Sequence, residues 1–141
     1  MTMQERIQRM LHGHESRSPA WRWLGIRLLE AEAGRTLLEM TVTEEMRNHA
    51  GVCHGGFLAT LADSAMGSAM ATVLPEGERH LSFDLKLSFM RSVEIGATVR
   101  CTGTVIHSGR RTGVCESRLE VGGELVGTGS ASFIVYLPEN T

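Results

Sequence analysis

Two features of the stretch "NHAGVCHGGFLATLAD", Asn48 to Asp63, could do chemistry. The first is His54-Gly55-Gly56, at the start of a segment whose periodicity predicts a helix. The opening turn of a helix leaves main-chain N–H groups without internal partners, and the macrodipole makes that end partly positive. Gly55 and Gly56 would expose those amides with no side chain in the way. That setting suits a developing oxyanion, for example on the carbonyl of a thioester. A tight entry into the helix would use the same two glycines, and HGG alone leaves both readings open. The second feature is Asp63, nine residues after the histidine, among apolar and small residues. A carboxylate there is expensive to bury and needs partners or a task. It could act as general base on water or as nucleophile on a carbonyl; the alternative is a hydrogen-bonded structural aspartate. Glycines rather than long polar residues surround it, which favours the task.

The helix that must position them runs from His54 to about Val73. At 100° per residue, Leu58, Leu61, Ala62, Ala65, Ala69 and Val73 share one face. Asp63 lies roughly 120–140° from the middle of that stripe, beside Gly56, Gly67 and Met70. A helical glycine costs about 1 kcal/mol relative to alanine, so these glycines suggest that something approaches the helix closely there. Gly55 and Asp63 are ~12 Å apart along the axis. An oxyanion donor and an attacking group must both lie ~3 Å from the reacting centre. If both act together, a second copy of the helix runs antiparallel nearby, and the expected assembly is a homodimer with two-fold sites.

Around this helix the chain reads as sheet. Ile7, Met10 and Leu11 mark a short amphipathic helix over about 3–12, which "HGHESRSP" breaks at Gly13 and Pro19. Two extended runs between Trp23 and about Met46 flank "EAG", a β-hairpin around Gly34. "LPEGERH" ends the central helix. In "LSFDLKLSFM", Leu81, Phe83, Leu85, Leu87 and Phe89 alternate with Ser82, Asp84, Lys86 and Ser88, a period-2 pattern with one buried face. Three more strands follow, and Gly122-Gly123 between the last two predicts a two-residue hairpin. The fold class is α+β: an antiparallel sheet of five to six strands wrapped around one long central helix. Residues 1–20 read as an N-terminal helix and linker, and 21–141 as one domain.

Composition excludes several function classes. The chain has 141 residues, 42% hydrophobic and 21% charged, with a net charge of -2 mixed along its length. Nucleic-acid binding calls for a basic excess, which is missing here. No apolar run approaches the ~20 residues of a membrane span, and the N-terminus lacks a secretory pattern. Cys53, Cys101 and Cys115 are odd in number and form no C-x-x-C pair, so reduced thiols in a cytoplasmic protein are expected. The same spacing argues against structural zinc. His49, His80 and His107 have no ligand spacing and read as surface or pocket histidines.

Asn48, Gly51, His54, Gly55, Gly56, Leu61 and Asp63, with the later "LSFDLKLSFMRSVEIGATV" and "HSGRRTGVCESRL", resemble the hotdog-fold acyl-CoA thioesterases of the PaaI-like (phenylacetate-pathway) group. The likeness covers about residues 20 to 136. It implies a sheet wrapped around the helix, dimers joined edge to edge, and often a dimer of dimers. It also implies Asp63 as base or nucleophile, with the Gly55 amide of the other subunit polarising the thioester carbonyl. Asn48 would orient the carboxylate or water, and His54 would line the pocket with Gly56. Some relatives hold the water with a serine on the first strand after the helix, where Ser82 stands; an exposed strand serine is the plainer account. Where relatives often read Arg-Pro, this chain has Arg91-Ser92. Another branch of the fold has glutamate at position 63 and threonine four residues later; Gly67 at that later position favours the aspartate branch.

Hydrolysis of an aryl- or medium-chain acyl-CoA to acid and CoA is the leading reading, with no metal or cofactor. Coenzyme A carries phosphates, so cationic groups are expected at the mouth, and Arg91, Arg110 and Arg111 are the candidates. Phe57, Met66 and Met70 are candidate acyl-pocket linings, although methionine also fills cores. A hotdog hydratase or dehydratase would recruit Asp63 and His54 to the acyl chain. A non-catalytic acyl-CoA-binding regulator is the third reading.

Overall fold

The computed structural model describes residues 1–12 and 18–139. The predicted break at Gly13 lies outside the described residues. The elements are α1 (Met3–His12), α2 (Pro19–Leu24), β1 (Arg27–Glu32), β2 (Arg35–Thr41), α3 (Gly55–Ala71), β3 (Arg79–Phe89), β4 (Thr98–Ser108), β5 (Thr112–Val121) and β6 (Glu124–Tyr136), with a 3-10 turn over Glu44–Met46. All strands form one antiparallel sheet in the order β1-β2-β4-β5-β6-β3, wrapped around α3.

The small-residue stripe explains how a sheet can wrap a helix this closely. Leu58, Leu61, Ala62, Ala65 and Ala69 are buried against the concave face of the sheet. On β4, a Cβ at Gly103 would overlap the Ala65 carbonyl, so glycine there and alanine opposite let the two backbones meet. On β2, Thr36 Oγ1 donates to the Ala65 carbonyl at 2.8 Å. Ser68 Oγ lies 3.1 Å from Thr36 Oγ1 and 2.8 Å from the Ser64 carbonyl. These hydroxyls satisfy one another away from water and fix the height of α3 over the sheet. Met66 and Met70, expected as pocket linings, are fully buried core residues, and Met70 packs on Gly113 of β5.

The hairpins predicted at Gly34 and at Gly122-Gly123 are present; both residues of the second turn have positive φ, as a turn matched to strand twist requires. The extended run expected from Trp23 begins instead at Arg27, because Pro19–Leu24 is helical. Ser18 caps it by accepting from the Trp21 amide, Pro19 opens it, and Gly25 at φ 70° ends it. The boundary read near residue 20 falls inside this helix. Trp21 Nε1 donates to Ser64 Oγ at 3.0 Å, tying α2 to α3.

β3 departs most from expectation. It does not pair with β4 but crosses to the far edge beside β6. Its register with β6 shifts between Ser82 and Asp84, a bulge at Phe83. Before the bulge, His80 and Ser82 pair with Val135 and Phe133, which are buried. After it, Leu85 pairs with buried Ala131, followed on the same face by Leu87 and Phe89. One extra residue therefore turns Leu81 outward and brings His80 and Ser82 to the helix side. The expected single buried face is not formed: Leu81 is 60% and Phe83 63% exposed, on a strand with one unpaired edge.

Candidate active site

His54 is the N-cap of α3, in extended conformation, and its Nδ1 accepts the Gly56 amide at 3.0 Å. That bond corrects the expectation that both glycine amides stand open. The donor left to a ligand at the first helical position is Gly55 N–H. The loop before it is stapled: His54 N donates to the Met46 carbonyl at 2.7 Å, and Cys53 N to the Val93 carbonyl at 2.8 Å. Asn48 Oδ1 accepts the Ala50 and Val52 amides at 2.9 and 3.2 Å, which leaves the amide nitrogen of its side chain for other partners.

A cleft at this helix start is lined by Asn48, Gly55, Leu58, Phe89, Met90 and Arg91. Glycine at 55 lets the Phe89 ring lie close, since a Cβ there would stand 3.1 Å from the ring and move this exposed side chain by a few tenths of an ångström. Phe57 is half-buried and meets Trp23 and His54 edge to face, with ring centroids 6.4 and 6.2 Å apart. Arg91 is exposed and pairs with Glu124 at 3.3 Å, a bond that solvent weakens and a phosphate could displace.

Asp63 lies elsewhere on α3. The residue is half-buried, and its Oδ1 is buried with no hydrogen-bond partner among the described residues. A carboxylate oxygen in that state is costly unless something else occupies the site. From β3, His80 reaches the next turn of α3, where a Cβ at Gly67 would lie 3.5 Å from its Nε2. Burial lowers the His80 imidazole below its ordinary pKa, while a hydrogen bond to the Gly67 main chain and the Asp63 charge act in the opposite direction. Ser82 is exposed but shares the helix-side face with His80. Arg110 and Arg111 are exposed at the β4–β5 turn. The Arg111 carbonyl accepts the Val135 amide, which places this turn at the end of the sheet where His80 enters β3.

The predicted residues thus fall into two groups. Asn48, His54, Gly55, Gly56 and Arg91 gather at the start of α3; Asp63 and Ser82 lie with His80 further along, with Arg110 and Arg111 at that end.

A model of the thioesterase superfamily matches residues 50–135, more than half of the chain. The chain belongs to the thioesterase superfamily. Acyl-coenzyme A thioesterase PaaI of Escherichia coli is 35% identical over 91 residues, which cover 64% of this chain and 63% of PaaI. Human acyl-coenzyme A thioesterase 13 is 35% identical over 86 residues, 60% of each chain. The Pseudomonas aeruginosa protein PA0474 is 33% identical over 122 residues, 86% of this chain and 90% of that one. The solved structure of E. coli PaaI superposes with a TM-score of 0.85 at 25% identity, covering 99% of both chains. The stretches matched in sequence span less than two thirds of PaaI and of acyl-coenzyme A thioesterase 13.

Membership makes this hotdog-fold chain one of the thioester hydrolases, and the family match contains the start of α3, Asp63 and all of β3. No described helix of this thioesterase is long and apolar enough to cross a membrane. Two residues beside its candidate site were missed in the sequence. Phe89 read as one more apolar strand position. His80 read as a surface or pocket histidine because a bulge cannot be seen in an alternating pattern.

Proposed function

We propose that the protein hydrolyses an aryl- or medium-chain acyl-CoA thioester to the free acid and CoA, in sites shared between two copies of the chain. The observation that carries this reading is the separation of the Gly55 amide from Asp63 along one helix, with the exposed edge of β3 beside both. Antiparallel pairing of β3 with its own copy would extend the sheet and run two α3 helices in opposite directions. The Gly55–Phe89 end of one copy then faces the Asp63–His80 segment of the other. The family membership and the unpartnered Asp63 Oδ1 support the same arrangement.

In that site Asp63 takes a proton from water while the water oxygen bonds to the thioester carbon. Charge gathering on the carbonyl oxygen is met by Gly55 N–H at the positive end of the other helix. The C–S bond then breaks with its electron pair going to sulfur, and Asp63 returns the proton to the thiolate. In the nucleophilic variant an Asp63 oxygen attacks first, the thiolate leaves, and water opens the mixed anhydride. Asn48 orients the water or carboxylate through its free amide nitrogen. Ser82 holds the water on the helix side of β3. His54 shapes the helix start as its cap. Arg91 of one copy and Arg110 and Arg111 of the other converge on the mouth, where CoA phosphates need cations. The chemistry calls on no group beyond these side chains, main-chain amides and water.

The hydratase reading is less favoured, because His54 Nδ1 is already bonded to the Gly56 amide. Thiol release measured across aromatic and aliphatic acyl-CoAs tests the proposal, with Asp63→Asn lowering kcat roughly 10²–10⁴-fold. Tight binding without release would instead indicate an acyl-CoA-binding protein.

A further inference from the structure

His80 is the titratable side chain that the sequence left without a role, and three features hold it on α3 one turn from Asp63. The bulge at Phe83 turns it to the helix side of β3, where its cross-strand partner is Val135. Its ring stands edge to face against Phe133, centroids 5.4 Å apart, which limits how it can swing. It also hydrogen-bonds the main chain at Gly67, one turn beyond Asp63 on α3. A Cβ at Gly67 would sit 3.5 Å from His80 Nε2, so the ring lies directly on the helix backbone. From β6 it faces Phe133 and Val135, and from α3 Gly67 and Asp63. Arg111, whose carbonyl holds Val135, turns an exposed side chain to solvent. Asp63 is therefore the charged group set against the ring among the described residues.

We propose that His80 is a positioning residue for Asp63 that makes the carboxylate pH-sensitive: neutral, it leaves Asp63 a competent base; protonated, it pairs with the carboxylate and withdraws it. The inference rests on Asp63 being the base or nucleophile of the proposed hydrolysis. Burial keeps the imidazole neutral at pH 7, since desolvation is the largest influence on it. When acid protonates the ring the carboxylate is withdrawn, so activity falls as the ring gains its proton.

The test is the pH profile of kcat/KM for the full chain and for His80→Gln, read with the imidazole titration by NMR. The expected profile of His80→Gln has its acid limb moved to lower pH and made less steep. Below the wild-type limb, the ratio of variant to wild-type kcat/KM should then rise at least several-fold over its value at neutral pH. The His80 resonance, assigned by its loss in His80→Gln or His80→Asn, should titrate at lower pH in Asp63→Asn than in the wild type, because the neighbouring negative charge is gone. Parallel pH profiles, or an unchanged His80 titration in Asp63→Asn, would overturn the inference. An active Asp63→Asn enzyme would overturn the base assignment instead, and the titration would still report whether the two groups are coupled.

Discussion

Gly55 and Asp63 lie about two turns apart on α3, the first opening the helix beneath the Phe89 ring and the second reaching the gap opposite His80. One helix thus carries a free amide at its start and a carboxylate two turns on that cannot meet over the same atom.

Complementation between two defective chains follows from that separation. Gly55→Pro removes the amide while keeping a residue tolerated at the first helical position, and His54 already has the extended conformation that precedes proline. Asp63→Asn removes the carboxylate. Each homodimer should lose activity, the first by roughly 10²–10³-fold. After the two are mixed and allowed to exchange subunits, half of the dimers are hybrids with one intact site, giving about a quarter of wild-type turnover. Absence of recovery despite verified exchange would mean that each site is complete within one chain.

Isotope labelling separates the two chemistries open to Asp63. In a single turnover in H₂¹⁸O, a general base leaves the enzyme unlabelled and delivers the label to the product acid. A nucleophile can acquire label in its own carboxyl when water opens the anhydride at the Asp63 carbon. Mass spectrometry of the peptide containing Asp63 and of the product acid, after that turnover, reads the difference.

The seating of α3 on the sheet sets the stability of the site. Thr36→Val removes the hydroxyl that ties β2 to α3, while Ser68 Oγ keeps its bonds to the Ser64 and Ala65 carbonyls, so the cost is that of lost hydrogen bonds, about 0.5–1.5 kcal/mol. Gly103→Ala forces the Ala65 carbonyl away from β4 and should cost about 1–3 kcal/mol or more. Urea denaturation of both variants measures these losses. A change under 0.5 kcal/mol for either, the ordinary range for surface substitutions, would mean that the helix is not held at these points.

Alkaline stability follows from the buried thiols. Burial pushes Cys101 and Cys115 up to about 12 from an ordinary 9.0. Above pH 9 the unfolded chain releases these protons and the folded chain retains them, so stability falls with rising pH until the folded thiols also ionise near 12. Denaturation midpoints at pH 8 and pH 10 should show the fall, and a variant with alanine at both positions should show less of it.

Much of this architecture was legible in the chain. The helix stripe from Leu58 to Ala69, the hairpins at Gly34 and Gly122-Gly123, and the predicted separation of Gly55 from Asp63 all follow from periodicity and helix rise, which are local properties. The candidate residues at the start of α3 and at Asp63 were likewise present in the motif and its resemblance. What only the tertiary structure decided was set by pairing across long sequence separations. The strand after α3 crosses to the far edge of the sheet, and the bulge opposite Phe133 reverses which of its residues face the helix. Alternation in one strand cannot reveal an unpaired residue, because the bulge exists only relative to the partner strand. His80, read as a surface or pocket histidine after the central helix, is brought onto α3 at Gly67 only by that pairing with β6.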